Sequence, residues 1–229
     1  MSPPPFKPPT PIRTFATIPS APLPPSYSSP HVPPSYSTPS NPAPSPPAYA
    51  EDDPSSSSKE TYYLLAQIQE NMTLTKPTLI MRDLAGSAFA LVWNDLTRES
   101  LDFKSLGLKK GNCLLLPNAL RTEPQQEGKQ ALIKLYCSSW DDEQVKVIPG
   151  SLEKIVEVGQ FWEELCDNSK CANCGKGEDS SAEAEERLKR CTACAKVGYC
   201  SKECQVQGWT EGGHKPMCKI IKRFNEIWP

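Results

Sequence analysis

The chain has 229 residues, a formal net charge of −2, ten cysteines and twenty-five prolines. Residues 60–150 carry ten Lys/Arg against eleven Asp/Glu and residues 167–229 eleven against nine, too balanced for an electrostatic footprint on nucleic acid. The N-terminus shows no basic segment followed by an apolar stretch, and no run of about 18 apolar residues is present to span a membrane.

Residues 1–50 hold eighteen of the prolines, much serine and no acidic residue. Such a composition lacks the apolar surface to build a core, so the segment is expected to stay disordered and to sample polyproline II. Within it stand Pro24-Pro25-Ser26-Tyr27, Pro33-Pro34-Ser35-Tyr36 and Pro46-Pro47-Ala48-Tyr49. These three copies resemble PPxY, the peptide signature read by WW domains. A generic low-complexity linker is the competing reading, but all three tyrosines of the segment follow the proline pair, which composition alone rarely produces. A polyproline II strand is already extended and loses little entropy on docking, and three weak sites on one chain gain avidity against a partner with several WW domains. Tandem WW domains are typical of HECT-type ubiquitin ligases, so the resemblance implies a recruiting arm for such a ligase.

A polar linker, residues 51–60, ends the tail, and from Thr61 the composition changes. Residues 62–72 fit strand or helix equally on periodicity. Clearer strands are expected at 78–83, 88–93, 113–117, 131–136 and 145–148, with turns at 84–86 and 109–112. Five or six strands in ninety residues suit a small barrel or sandwich. The run Arg82 to Trp93, followed by Leu108-Lys-Lys-Gly-Asn-Cys-Leu-Leu-Leu, resembles an OB-fold. That resemblance implies a groove in which Phe89, Trp93, Tyr136 and Trp140 stack on bases, but core packing is the favoured role for these rings. Pro149-Gly150 stops the last strand, Ser151 can cap, and Leu152, Ile155, Val156, Trp162 and Leu165 come at helical spacing, so 151–166 is expected to be one linking helix.

The most specific pattern comes last. Cys171-x2-Cys174, Cys191-x2-Cys194, Cys200-x3-Cys204 and His214-x3-Cys218 are four consecutive pairs of soft donors. Spacing of two or three lets a tight turn aim two donors at one tetrahedral centre, and two pairs make a closed structural zinc site. Disulfides and a redox CxxC compete with zinc for such cysteines. A reducing compartment, cytoplasm or nucleus, favours metal. The segment from Tyr199-Cys-Ser through Cys204-Gln205 and Trp209 to His214 and Cys218 resembles a MYND-type zinc finger over about residues 171–218. The resemblance implies interleaved ligation: Cys171, Cys174, Cys200 and Cys204 on one zinc, Cys191, Cys194, His214 and Cys218 on the other. It also implies docking of proline-rich or other short peptides, with Gln205 and Trp209 helping to form the groove. The sixteen residues between Cys174 and Cys191 exceed the family's usual loop, and 180–190 could form a short solvated helix. Cys113, Cys137 and Cys166 fall outside the ligand spacing and are expected to be buried apolar residues. Ile220, Ile221, Phe224, Ile227 and Trp228 form a C-terminal apolar stripe.

The expected architecture is α+β in several parts: a disordered tail and linker at 1–60, an OB-like β domain at 61–150, a helix at 151–166, a two-zinc MYND finger at 167–218 and a helix at 219–229. No glycine-rich phosphate loop, HExxH or GxSxG is present, and closed zinc sites leave no position for substrate, so the chain reads as non-enzymatic. The favoured function is an adaptor that recruits a WW-domain partner through the tail and a client peptide through the finger. The alternative is a transcriptional co-regulator working through the finger alone, and nucleic-acid binding by the OB-like domain ranks third.

Overall fold

A computed structural model describes residues 12–21, 61–124, 130–167, 169–177 and 188–228. In chain order lie strands β1 (Ile12–Arg13), β2 (Tyr63–Asn71), β3 (Thr78–Asp83), β4 (Ala88–Trp93), β5 (Cys113–Pro117), β6 (Arg121–Thr122), β7 (Leu132–Leu135) and β8 (Lys146–Ile148). Helices α1 (Leu152–Gln160) and α2 (Trp162–Leu165) come next. A ribbon of β9 (Lys189–Arg190) and β10 (Gly198–Tyr199) then precedes α3 (Lys202–Thr210) and α4 (His214–Ile227).

The organising strands are those with no polar face. In β5, Cys113, Leu114, Leu115 and Leu116 are all buried, as are Leu64, Leu65 and Ala66 of β2 beside them. The two strands pair antiparallel from Tyr63↔Pro117 to Gln67↔Cys113. Side chains alternate across a sheet, so an unbroken apolar run needs cover on both faces, and both are covered. Leu64, Ala66, Ile68, Leu114 and Leu116 enter a core enclosed by the curl of the sheet, with Met81, Phe89, Leu91 and Trp93. Leu65, Cys113, Leu115 and Ile148 face the other way, into a second core shared with α1 and α4.

The sheet runs β6-β7-β4-β3-β2-β5-β8, with β1 parallel to the start of β2. β2, β3 and β4 form a meander, β5 returns to the far edge of β2, and β7 joins β4 in parallel. A bulge in β2 between Ile68 and Glu70 shifts the register against β3 and increases the local twist. The result is a curled half-barrel. Asn118, at φ 50°, turns the chain out of β5 so that β6 reaches β7. Asn tolerates this left-handed conformation better than most residues.

Four expectations change. Residues 12–21, expected within the disordered tail, pack on the half-barrel. Phe15 stacks on Phe89 at 4.5 Å, Ile18 is buried, and the Phe15 N–H donates to Asp83 Oδ2 at 2.7 Å. The high proline content masks an apolar spacing, Ile12, Phe15 and Ile18, sufficient for a short hook. The expected single helix 151–166 is two: Phe161 leaves helical geometry at φ −98°, ψ 17°, after Gly159, and the turn lets Trp162 meet the Phe224 ring at 5.6 Å. The C-terminal helix starts at His214 rather than 219, so its first turn belongs to the finger. Tyr136, favoured as core, is 61% exposed, while Phe89 and Trp93 are buried and Trp140 tilts against Trp93 at 6.4 Å. The stretch 62–72, open between strand and helix, forms β2 over Tyr63–Asn71. The turn positions and the central three strands lie where expected.

The hook also meets the start of β2 at one turn. Ala21 N–H donates to Arg121 O at 2.7 Å, and Arg121 N–H to Pro19 O at 2.8 Å. Asn118 N–H donates to Tyr62 O at 2.9 Å, and the Tyr62 hydroxyl to Ala119 O at 2.8 Å. Pro19, Ala21 and Tyr62, described residues on either side of 22–60, are therefore all held at residues 118–121. The three PPxY motifs, with Tyr27, Tyr36 and Tyr49, lie within 22–60 and outside the described residues, as do 180–187 of the helix expected at 180–190. The end of that stretch, Lys189–Arg190, is strand β9 instead, because it pairs with Gly198–Tyr199.

Candidate metal centre and peptide-binding surface

Each ligand pair is placed by ordinary backbone chemistry. In the first knuckle, Gly175 N–H donates to Cys171 O at 2.9 Å and Cys171 N–H to Lys176 O at 2.8 Å, with Gly175 at φ 74°. The second knuckle repeats it: Ala195 N–H to Cys191 O and Cys191 N–H to Val197 O, both 2.8 Å, with Ala195 at φ 57°. Ser201 caps α3 by accepting the Cys204 N–H at 3.2 Å, which places Cys200 and Cys204 across the helix entrance. His214 and Cys218 are four apart, one turn from each other at the start of α4, and so share a face.

The fold gathers these donors into two groups, Cys171, Cys174, Cys200 and Cys204, and Cys191, Cys194, His214 and Cys218. All donor atoms of a group lie within 4.8 Å of one another. First and third pairs combine, as do second and fourth, the interleaving that the resemblance implied. The spacings fit zinc. Cys174 and Cys200 sulfurs are 3.5 Å apart, Cys200 and Cys204 3.5 Å, Cys191 and Cys218 3.8 Å, and Cys194 Sγ lies 3.7 Å from His214 Nε2. A tetrahedral ion with Zn–S bonds of about 2.3 Å sets sulfurs about 3.8 Å apart.

Electrostatics point the same way. Contacts with the Cys174 and Cys204 thiols push Cys200 up to about 12, whereas burial and the neighbouring Cys194 and Cys191 push Cys218 up to about 12. At Cys171 burial opposes the thiolate, but backbone N–H groups of Cys174, Cys200 and Asn173 outweigh it and bring the thiol down to about 6. Sulfurs this close resist sharing negative charge unless a cation lies between them, and coordination deprotonates a thiol outright. Burial lowers His214 below its ordinary 6.5, which keeps the neutral imidazole that a ligand requires. The chain therefore fits two zinc ions.

The surroundings differ between the groups. All four ligands of the second are buried, with Tyr199 edge-on to His214 at 6.1 Å and Trp209 at 5.6 Å. In the first, Cys171 is buried, Cys200 and Cys204 are half-buried, and Cys174 is exposed. Gly208, which sequence reasoning passed over, lets α3 lie against the Tyr199 ring: a Cβ there would sit 2.6 Å from Cε1. Its signal was a glycine in the middle of a helix.

Gln205 and Trp209 stand one turn apart on α3, both half-buried, with Trp209 packed on the second core. The structure brings Trp209 to His214 and leaves Gln205 beside it on the same face. A concave surface elsewhere on the finger went unforeseen. Phe161, Leu165 and Met217 line a groove of about 470 Å³, walled by Ala172 and Asn173 of the first knuckle and rimmed by Glu164. Of the cysteines outside the ligand set, Cys113 is buried, donates to Gly150 O and is pushed up to about 12 by burial. Cys137 and Cys166 are only half-buried.

Comparison with known proteins agrees on this region. Residues 171–218 match the family described as MYND finger. SET domain-containing protein 14 of Caenorhabditis elegans is 50% identical over 40 residues, which is 18% of this chain and 9% of that protein. The chain thus spans a small fraction of that curated relative. No solved structure matches. A MYND finger is a zinc-dependent protein-interaction domain, and such fingers generally bind peptide partners. No helix among the described residues is long and apolar enough to cross a membrane.

Proposed function

We propose that the chain is a non-enzymatic adaptor of the cytoplasm or nucleus. Its MYND finger, through the face bearing Gln205 and Trp209, grips a short peptide of a client. Its proline-rich segment recruits a WW-domain partner of the HECT ubiquitin-ligase type through the motifs ending at Tyr27, Tyr36 and Tyr49. The observation that carries the finger's role is the closure of both donor groups: four protein ligands on each ion leave no open position for water or substrate, so the zinc holds a surface rather than performing chemistry. The OB-like reading of the half-barrel is supported by its meander, the return of β5 to β2 and the parallel β4–β7 pair, and we assign it a scaffold role.

The test is a titration of zinc-counted protein against tandem WW domains, with and without Tyr27, Tyr36 and Tyr49 changed to Ala. Tyrosine-dependent binding at two zincs per chain is expected. Two zincs with binding indifferent to the tyrosines would remove the recruiting arm and leave the finger-only co-regulator.

A further inference from the structure

We propose that the first zinc site is an oxidant-sensitive switch and the second a permanent anchor, with Cys174 as the residue that reacts. This rests on the two-zinc finger and not on the adaptor reading. The donor groups differ in two independent respects, access and attachment.

Access comes first. Cys174 is exposed and its neighbours Cys200 and Cys204 are half-buried, whereas Cys191, Cys194, His214 and Cys218 are all buried. A coordinated cysteine is already a thiolate, the form that oxidants attack, so reach by solvent decides which site reacts. The Cys174 and Cys200 sulfurs are 3.5 Å apart, and a resolving partner is therefore in place.

With hydrogen peroxide as oxidant, the Cys174 thiolate attacks one peroxide oxygen. The O–O bond breaks, leaving the sulfenic acid Cys174–SOH and a hydroxide that takes up a proton. Cys200 thiolate then attacks the Cys174 sulfur, the S–O bond breaks, and hydroxide leaves and is protonated to water. Two thiolates have given up two electrons, one peroxide has become two waters, and the ion has lost two of its four ligands.

Attachment separates the outcomes at the two sites. The first site is held by the Cys171–Cys174 knuckle and the start of α3, a helix whose one buried residue is Gly208. The second site is held by α4, which goes on to bury Ile220, Ile221 and Phe224 under the sheet. Loss of the first ion frees the knuckle that supplies Ala172 and Asn173 to the groove, while Asn173 loses its constraint against Gln207. Loss of the second would require α4 to leave the core.

The experiment treats full-length two-zinc protein with hydrogen peroxide and follows release with a chromogenic zinc chelator. Samples are quenched by alkylation and mapped by mass spectrometry. One zinc per chain should leave in the fast phase, together with a Cys174–Cys200 disulfide, and thiol reductant with added zinc should restore two. Far-ultraviolet circular dichroism should keep the β-sheet signal at that stage. Release of both ions in one phase, or oxidation of Cys191 or Cys218 before Cys174, would overturn the proposal. C174H keeps a ligand but removes the reacting sulfur and should slow the fast phase more than tenfold; unchanged release from this variant would also refute it. Should C174H fail to hold zinc, the mapping on the unmodified chain still decides.

Discussion

The replacement Phe224→Ala probes whether the finger and the sheet fold as one body. Phe224 is fully buried, ten residues after the ligand His214 on the same helix, with Trp162 5.6 Å away on one side and Trp228 5.4 Å away on the other. Truncating a buried Phe costs about 3–5 kcal/mol, from lost transfer energy and the cavity left behind. Were this cost confined to the sheet, zinc would be indifferent to it. Here α4 carries His214 and Cys218 one turn apart at its start and the apolar contacts on the turns that follow, so undocking the helix disturbs the second ion. A third of the cost expressed there is about 1.4 kcal/mol, or tenfold in affinity. Urea unfolding gives the stability loss, and chelator competition gives zinc affinity site by site. The second site should weaken tenfold or more and the first much less. A stability loss of the stated size with both zinc affinities unchanged would show that the shared core is not coupled to the metal.

Gly208→Ala should destabilise the zinc-bound chain by about 1–2 kcal/mol, because a Cβ 2.6 Å from the Tyr199 ring outweighs the roughly 1 kcal/mol that Ala gains over Gly in a helix. A rise in Tm would mean that the ring yields freely. Asp83→Ala should cost about 2–3 kcal/mol, since its buried carboxylate accepts the N–H groups of Phe15 and Ser87, each at 2.7 Å, and the loss leaves both donors unpaired. Limited proteolysis checks it: cleavage among residues 12–21 should become fast in the variant, and unchanged protection would contradict the clamp. A single cut within 22–60 should leave the two fragments co-eluting on gel filtration, because the hook is held by Asp83, Phe89 and Arg121 rather than by the peptide chain.

Legibility in the sequence tracked the range of the interactions. The zinc ligands could be read because metal geometry restricts them to pairs two or three residues apart, and the pattern survives any length of loop between pairs. The interleaving of pairs came through resemblance, since spacing does not choose among pairings. The strands at 78–83, 88–93 and 113–117 showed in apolar runs, and the unbroken Cys113–Leu116 run already implied cover on both faces. The cover of the second face was hidden, because the core that Leu65 and Leu115 share with Ile220 and Phe224 joins residues far apart in the chain. The hook was hidden for the opposite reason: three apolar residues among prolines carry too little local signal, and their partners Asp83, Phe89 and Arg121 lie beyond residue 80. Tyr136 shows the limit of aromatic content as a guide to burial. It lies just past β7, near the open edge of the sheet.

The position of α4 bears on how this finger can be moved between proteins. The segment that matches the family ends at Cys218, in the second turn of a helix that runs to Ile227. Excision at that point would strip the helix of Ile220, Ile221 and Phe224, the residues that seat it. Removing the finger together with α4 instead would thin the cover over Leu65, Leu115 and Ile148, leaving α1 as their remaining roof. A fragment meant to carry the peptide-binding surface alone should therefore extend to Trp228. Even then it presents an oily flank that invites self-association, so this finger travels poorly as a cassette, and its natural unit of transfer includes the sheet beneath it.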